Sequence, residues 1–182
     1  MKLKNTFFGI VFAVSATACY ADGGNNMVYD YIGTPLVSID AGSKEVNHTF
    51  GFVRLDLSEK TITSQDAVLP LDVCAAKDKM NCAFGGGLSF AVPNDGLIVG
   101  TWIYKGFAFH ELGKRDISVF GVKHTVHVIE ARRSGESSPK TVSISYYSEK
   151  DGLLGFSLFY PDQNMTETYF LKGIKGYAPI SN

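Results

Sequence analysis

The chain has no excess of charge of either sign: 17 Lys and Arg stand against 18 Asp and Glu, a formal net charge of −1. That balance gives no broad electrostatic footprint for nucleic acid or anionic lipid. Long apolar runs are missing too. The most apolar stretch, residues 6–16, falls short of the roughly 20 residues that a membrane-spanning helix needs, so no transmembrane segment is expected. No segment repeats apolar residues at helical spacing over three turns, which leaves little room for helix.

Cysteine is scarce, with three in the chain, and none sits in the Cys-x-x-Cys spacing of a redox motif. Zinc wants four Cys or His ligands, and the nearest histidines to Cys74 and Cys82, His48 and His110, are more than twenty residues away. A metal site is therefore not expected. Gly85-Gly86-Gly87 lacks the Gly-Lys-Ser/Thr ending of a phosphate-binding loop and the strand–turn–helix setting of a dinucleotide site. Ser89 follows these glycines, but the nucleophile elbow needs Gly-x-Ser-x-Gly before a helix, and position 91 is Ala. The glycines read as a tight turn, and neither a catalytic residue nor a cofactor is assigned.

What is present begins with an address. Lys2 and Lys4 precede the short apolar run 6–16, the layout of a secretory signal. Small-x-small cleavage patterns end at Ala18 and at Ala21. Cutting after Ala21 makes 1–21 a signal peptide and 22–182 a single β-rich domain. Cutting before Cys19 would allow a lipid anchor there, the lesser reading because Ala16 stands where lipoprotein signals usually carry Leu. The expected location is a bacterial periplasm or the exterior. Losing Lys2 and Lys4 takes the formal charge from −1 to about −3. In an oxidising compartment Cys74 and Cys82 should form a disulfide, and the short loop it closes should stabilise the fold by roughly 2–3 kcal/mol.

The remaining sequence alternates apolar and polar residues between Gly, Asp, Asn, Ser and Pro punctuation. Val142, Ile144 and Tyr146 share one face of a strand; Leu154, Phe156, Leu158 and Tyr160 share a face of the next. Asp151-Gly152 between them predicts an antiparallel hairpin, and residues 165–172 should add a third strand. Upstream, 107–112, 116–120 and 122–131 read as strands, as do 88–92 and 97–104. Residues 46–57 and 61–64 read as a hairpin, and 65–87 is the least strand-like stretch. The fold class expected is all-β or mainly β: an antiparallel sandwich, incomplete barrel or curved sheet of roughly ten strands, with a disulfide-closed loop.

Among candidate functional residues, His124 and His127 are three apart and should point to opposite faces of a strand, which prevents joint chelation. His110 and Glu111 fail likewise. Asp40, Glu45, Asp56, Glu111, Glu130 and Glu149 could serve glycoside chemistry only if the fold pairs them. Aromatic residues, 13% of the chain, concentrate at Trp102, Tyr104, Phe107 and Phe109. These pack a core or line a site for a hydrophobic ligand. The reading is an exported, non-catalytic envelope protein that binds a hydrophobic small molecule, lipid fragment or envelope protein partner. An extracytoplasmic hydrolase, or a structural component working by edge-strand pairing, are the alternatives.

Overall fold

The period-two alternation produces strands, and among the described residues there is no helix. The computed structural model describes residues 28–33, 36–39, 46–49, 51–65, 67–75, 77–96, 98–160 and 165–179, with the backbone alone for 36–39 and 46–49. The expected signal segment, both cleavage sites and Cys19 lie outside the described residues. In chain order the strands are β1 (Val28–Gly33), β2 (Leu36–Ile39), β3 (Val46–Thr49), β4 (Phe52–Asp56), β5 (Thr61–Ser64), β6 (Ala67–Pro70), β7 (Asp72–Val73), β8 (Met80–Gly85), β9 (Leu88–Pro93), β10 (Thr101–Tyr104), β11 (Phe107–Val119), β12 (Val122–Arg133), β13 (Thr141–Ser148), β14 (Gly152–Tyr160) and β15 (Met165–Leu171).

Ten strands form one antiparallel curved sheet in the order β10-β11-β12-β13-β14-β15-β1-β4-β5-β6. From β10 to β15 each strand pairs with its successor, as the short turns dictate. The sheet then continues because β15 also pairs with β1, placing Tyr31 opposite Leu171 and Gly33 opposite Tyr169. A two-stranded ribbon, β2–β3, is inserted between β1 and β4, and a three-stranded sheet, β7-β8-β9, links the two edge strands β6 and β10. Cys74 and Cys82 are disulfide-bonded, with Cα atoms 5.0 Å apart, and join the end of β7 to β8.

The β8–β9 hairpin sits inside the curve. Ser89 hydrogen-bonds Ser143 of β13 through both its N–H and its C=O. Trp102 of β10 donates its indole N–H to the Ala91 carbonyl, and the Ile62 side chain of β5 lies 3.2 Å from where a Cβ on Gly86 would stand. Contacts from the middle and from both ends of the sheet mean that it wraps the hairpin. Leu88, Phe90, Ala91 and Val92 are accordingly buried, alongside Tyr31, Leu55, Ile62, Phe109, Ile129 and Phe156 from the sheet. Each such side chain removed from water contributes about 1.5–3 kcal/mol before entropy is counted. Buried phenols are satisfied: Tyr31 donates to the Leu153 carbonyl, Tyr147 to Ala178 and Tyr177 to Cys82.

Register explains which residues face the hairpin. Ser143 lies opposite Leu158 and Ser145 opposite Phe156, so the serine face of β13 is buried while Val142, Ile144 and Tyr146 are half-buried. Small side chains leave room for β9 to approach. On the other side, Gly155 is paired with Tyr146 and with Phe170, whose rings stack at 5.7 Å and 29°. A Cβ at Gly155 would come within 2.7 Å of the Phe170 ring; the two aromatics cover the glycine that admits them.

Several local expectations need correction. Residues 46–57 are not one strand, because β3 pairs with β2 and β4 with β1. The break falls at Gly51, where any Cβ would meet the Tyr169 ring at 2.8 Å. Residues 107–112 and 116–119 belong to a single strand, β11, which passes through an irregularity between Glu111 and Gly113, and Phe120 falls in the turn that follows. Gly113 reaches φ 114 there, a conformation that glycine adopts freely. The stretch 65–87 holds β6, β7 and β8, and the described strand in 97–104 starts at Thr101.

Candidate functional site

Trp102, Tyr104, Phe107 and Phe109 do come together, around Phe84 of β8. Trp102 and Phe109 stack at 5.8 Å and 13°, Phe107 on Phe84 at 5.5 Å and 26°, and Tyr104 on Phe84 at 6.3 Å and 30°. Cross-strand pairing of β10 with β11 sets Trp102 opposite Phe109 and Tyr104 opposite Phe107. The Tyr104 oxygen lies 3.3 Å from Cys74 Sγ, and since that sulfur is in the disulfide, the phenol donates. Lys105 covers the cluster from the turn, 5.6 Å from the Phe84 centroid, and pairs with Asp72 at 2.7 Å. Trp102 and Phe109 thus spend their surface on each other, whereas Phe107 also faces open space.

That space is a cleft of about 650 Å³, within the range of small-molecule sites. Phe84, Leu88, Phe107 and Phe159 supply apolar walls, and Arg133, Lys140 and Glu136 supply charge, one net positive among the lining side chains. Two local devices shape it. The β8–β9 turn tucks in tightly: Gly86 and Gly87 have φ 53 and 87, and a Cβ on Gly85 would meet the Pro70 carbonyl at 2.5 Å. The segment after β12 is pinned where Ser134 N–H donates to the Gly106 carbonyl at 2.9 Å. Among the described residues Arg133 and Lys140 make no ion pair. Tyr160, at the edge of the cleft, donates to Glu167 at 3.2 Å; burial first, then that carboxylate, push its pKa up to about 12, so it stays a neutral phenol.

A second cleft, about 510 Å³, lies over β10, β11 and β12 and includes His110, Glu130 and Arg132. Its polar groups satisfy one another: Thr101 Oγ1 and His110 Nδ1 are 2.7 Å apart, Arg132 pairs with Glu130 at 2.9 Å, and Thr141 donates to Glu130.

The histidines behave as their strand spacing requires. His124 bonds Asp151 at 2.9 Å, and His127, on the opposite face, is held by Glu111 at Nδ1 (2.6 Å) and Glu149 at Nε2 (2.7 Å). Carboxylates only accept, so both ring nitrogens donate when both bonds are made. Lys114 Nζ approaches Glu149 at 3.6 Å. The Glu149 carboxyl is held below its ordinary pKa, chiefly by the His127 bond, with burial opposing and Lys114 assisting. Sequence reasoning named Glu111, Glu149 and His127 separately; cross-strand pairing across β11, β12 and the β13–β14 turn unites them. They engage both nitrogens from different sides and do not converge on one point, and among the described residues no group of three His, Cys, Asp or Glu is placed to hold a metal ion.

The missed residues are Arg133 and Lys140. Arg133 lies in, and Lys140 directly follows, the stretch 132–139 that reads as a polar loop, and their local sequence carries no sign of the aromatic residues that line the same cleft. No protein-family model, curated protein or solved structure matches this chain.

Proposed function

We propose that the chain is an exported, non-catalytic envelope protein that binds an amphipathic anion, with an apolar body and a carboxylate or phosphate head, in the cleft beneath Arg133 and Lys140. One observation carries the reading: two exposed cations, Arg133 and Lys140, which among the described residues make no ion pair, line the same cleft as Phe84, Phe107, Leu88 and Phe159. An anionic head could pair with these cations while its apolar tail covers the aromatic wall of the cleft. Export is supported by Lys2, Lys4 and the apolar run 6–16, and by the disulfide, a bond that persists in oxidising compartments. Among the described residues no helix is long and apolar enough to cross a membrane.

The other polar constellations favour binding over hydrolysis. His127 has both nitrogens engaged, and Glu130 is occupied by Arg132 and Thr141. Native mass spectrometry of the protein taken from its host envelope tests the proposal. Extra mass lost on denaturation, belonging to an anionic amphiphile, is the expected result; a bound neutral sugar or peptide would overturn it.

A further inference from the structure

The β11–β12 hairpin outruns its neighbours. β10 pairs with residues 107–110 of β11, and β13 pairs with residues 127–132 of β12, so among the described residues the strand pairing of Arg115–Val119 and Val122–Val126 is with each other alone, while Val126 and Val119 on one face of the arm are buried. This two-stranded arm is anchored at its root by His127 between Glu111 and Glu149, by His124 on Asp151, and by Ile117 against the core. Its tip is a two-residue turn in which Phe120 and Gly121 take φ 47 and 84. Such turns favour Asn or Gly at the first position, and a bulky aromatic with positive φ is strained there. Phe120 is 68% exposed and Val122 is 55% exposed. Strain at an exposed aromatic contributes nothing to folding and points to a role outside the fold.

From this tip we infer a membrane-docking finger: Phe120 and Val122 enter the interfacial region of an anionic bilayer while Lys123 and Arg115 meet lipid phosphates. Lys123 lies opposite Ser118 and Arg115 opposite Val126, so the two cations stand on opposite faces of the arm, Lys123 beside the tip and Arg115 about 17 Å behind it, with Asp116, which accepts from Thr125, next to Arg115. Among the described residues neither has an ion-pair partner. The overall charge of −1 provides no long-range attraction, so the contact is local, reversible and salt-sensitive. With Arg115 and Lys123 against Asp116, the arm carries one net positive charge, and that charge beside an apolar tip selects an anionic bilayer over a neutral apolar protein groove.

Co-sedimentation with phosphatidylglycerol vesicles, against phosphatidylcholine vesicles, provides the test. The chain should bind the anionic vesicles at low salt and release at high salt. Phe120→Asn supplies the residue that the turn prefers, so it should raise the melting temperature by about 3 °C and lower vesicle binding at least fivefold. Phe120→Trp should show a blue-shifted emission on the anionic vesicles, whereas Trp102, stacked on Phe109, reports little. Equal binding by Phe120→Asn, equal binding to both vesicle types, or an unshifted Phe120→Trp emission would overturn the inference.

Discussion

Ser143 and Ser89 exchange two hydrogen bonds: Ser143 Oγ donates to the Ser89 carbonyl at 2.9 Å and accepts from the Ser89 N–H at 3.2 Å. That pair ties the inner hairpin to the curved sheet where neither backbone completes the other's ladder. Without it, two main-chain groups would be buried unpaired.

Ser143→Ala should therefore destabilise the fold by at least about 2 kcal/mol, since two buried groups are orphaned and each costs roughly 1–3 kcal/mol. Ser145 lies two residues along the same buried face, and among the described residues its Oγ has no hydrogen-bond partner. Ser145→Ala should be neutral or stabilise by up to about 1 kcal/mol. Urea unfolding of both variants checks the contrast; equal losses would contradict the packing of β9 on β13.

Alkali should unfold the protein through its tyrosines. Burial pushes Tyr160 and Tyr177 from 10.0 up to about 12, and Tyr31 further upward. Unfolded phenols ionise near pH 10 while the folded ones hold their protons. The stabilisation is complete below about pH 10 and is lost as pH rises through the folded values. Melting temperature and phenolate absorbance, followed together, should fall and rise in one transition; phenols titrating near pH 10 with no loss of stability would oppose this.

At the acid end the sign reverses. Glu149, held below its ordinary carboxyl range by His127 and Lys114, adds stability that is present above that range and lost as pH falls through its lowered value. Because the side chain is half exposed, solvent screening keeps the effect small. Glu149→Gln should flatten the acid limb of a melting-temperature profile and shift the alkaline limb only slightly, because burial first and the Glu149 charge second hold the Tyr147 phenol up. An unaltered acid limb would show that the carboxylate does not hold His127.

The sequence showed the fold where local chemistry decides it. Asp151-Gly152 and the flanking alternation were enough for the β13–β14 hairpin, and Gly85-Gly86-Gly87 for the turn before β9. It could not show the pairing of β15 with β1, because nothing local to Tyr31 or Leu171 encodes a partner across the chain. Nor did alternation reveal that the serine face of β13 is the buried one, since that depends on the hairpin placed inside the sheet. The gap between the expected strands 107–112 and 116–120 is an irregularity at Gly113 within one strand. For the site, Trp102, Tyr104, Phe107 and Phe109 were legible as an aromatic concentration. Their assembly around Phe84, and the placing of Arg133 and Lys140 above it, required the three-dimensional fold.

Anion binding in the cleft is read out by calorimetric titration with dodecanoate, run on the wild-type chain and on an Arg133→Gln, Lys140→Gln double variant, with dodecanol as the uncharged control. One dodecanoate should bind saturably per chain, at least tenfold more weakly in the double variant, a loss of about 1.4 kcal/mol or more, and dodecanol should bind more weakly again. Dodecanoate bound equally by both proteins, or by neither, would contradict anion binding in the cleft.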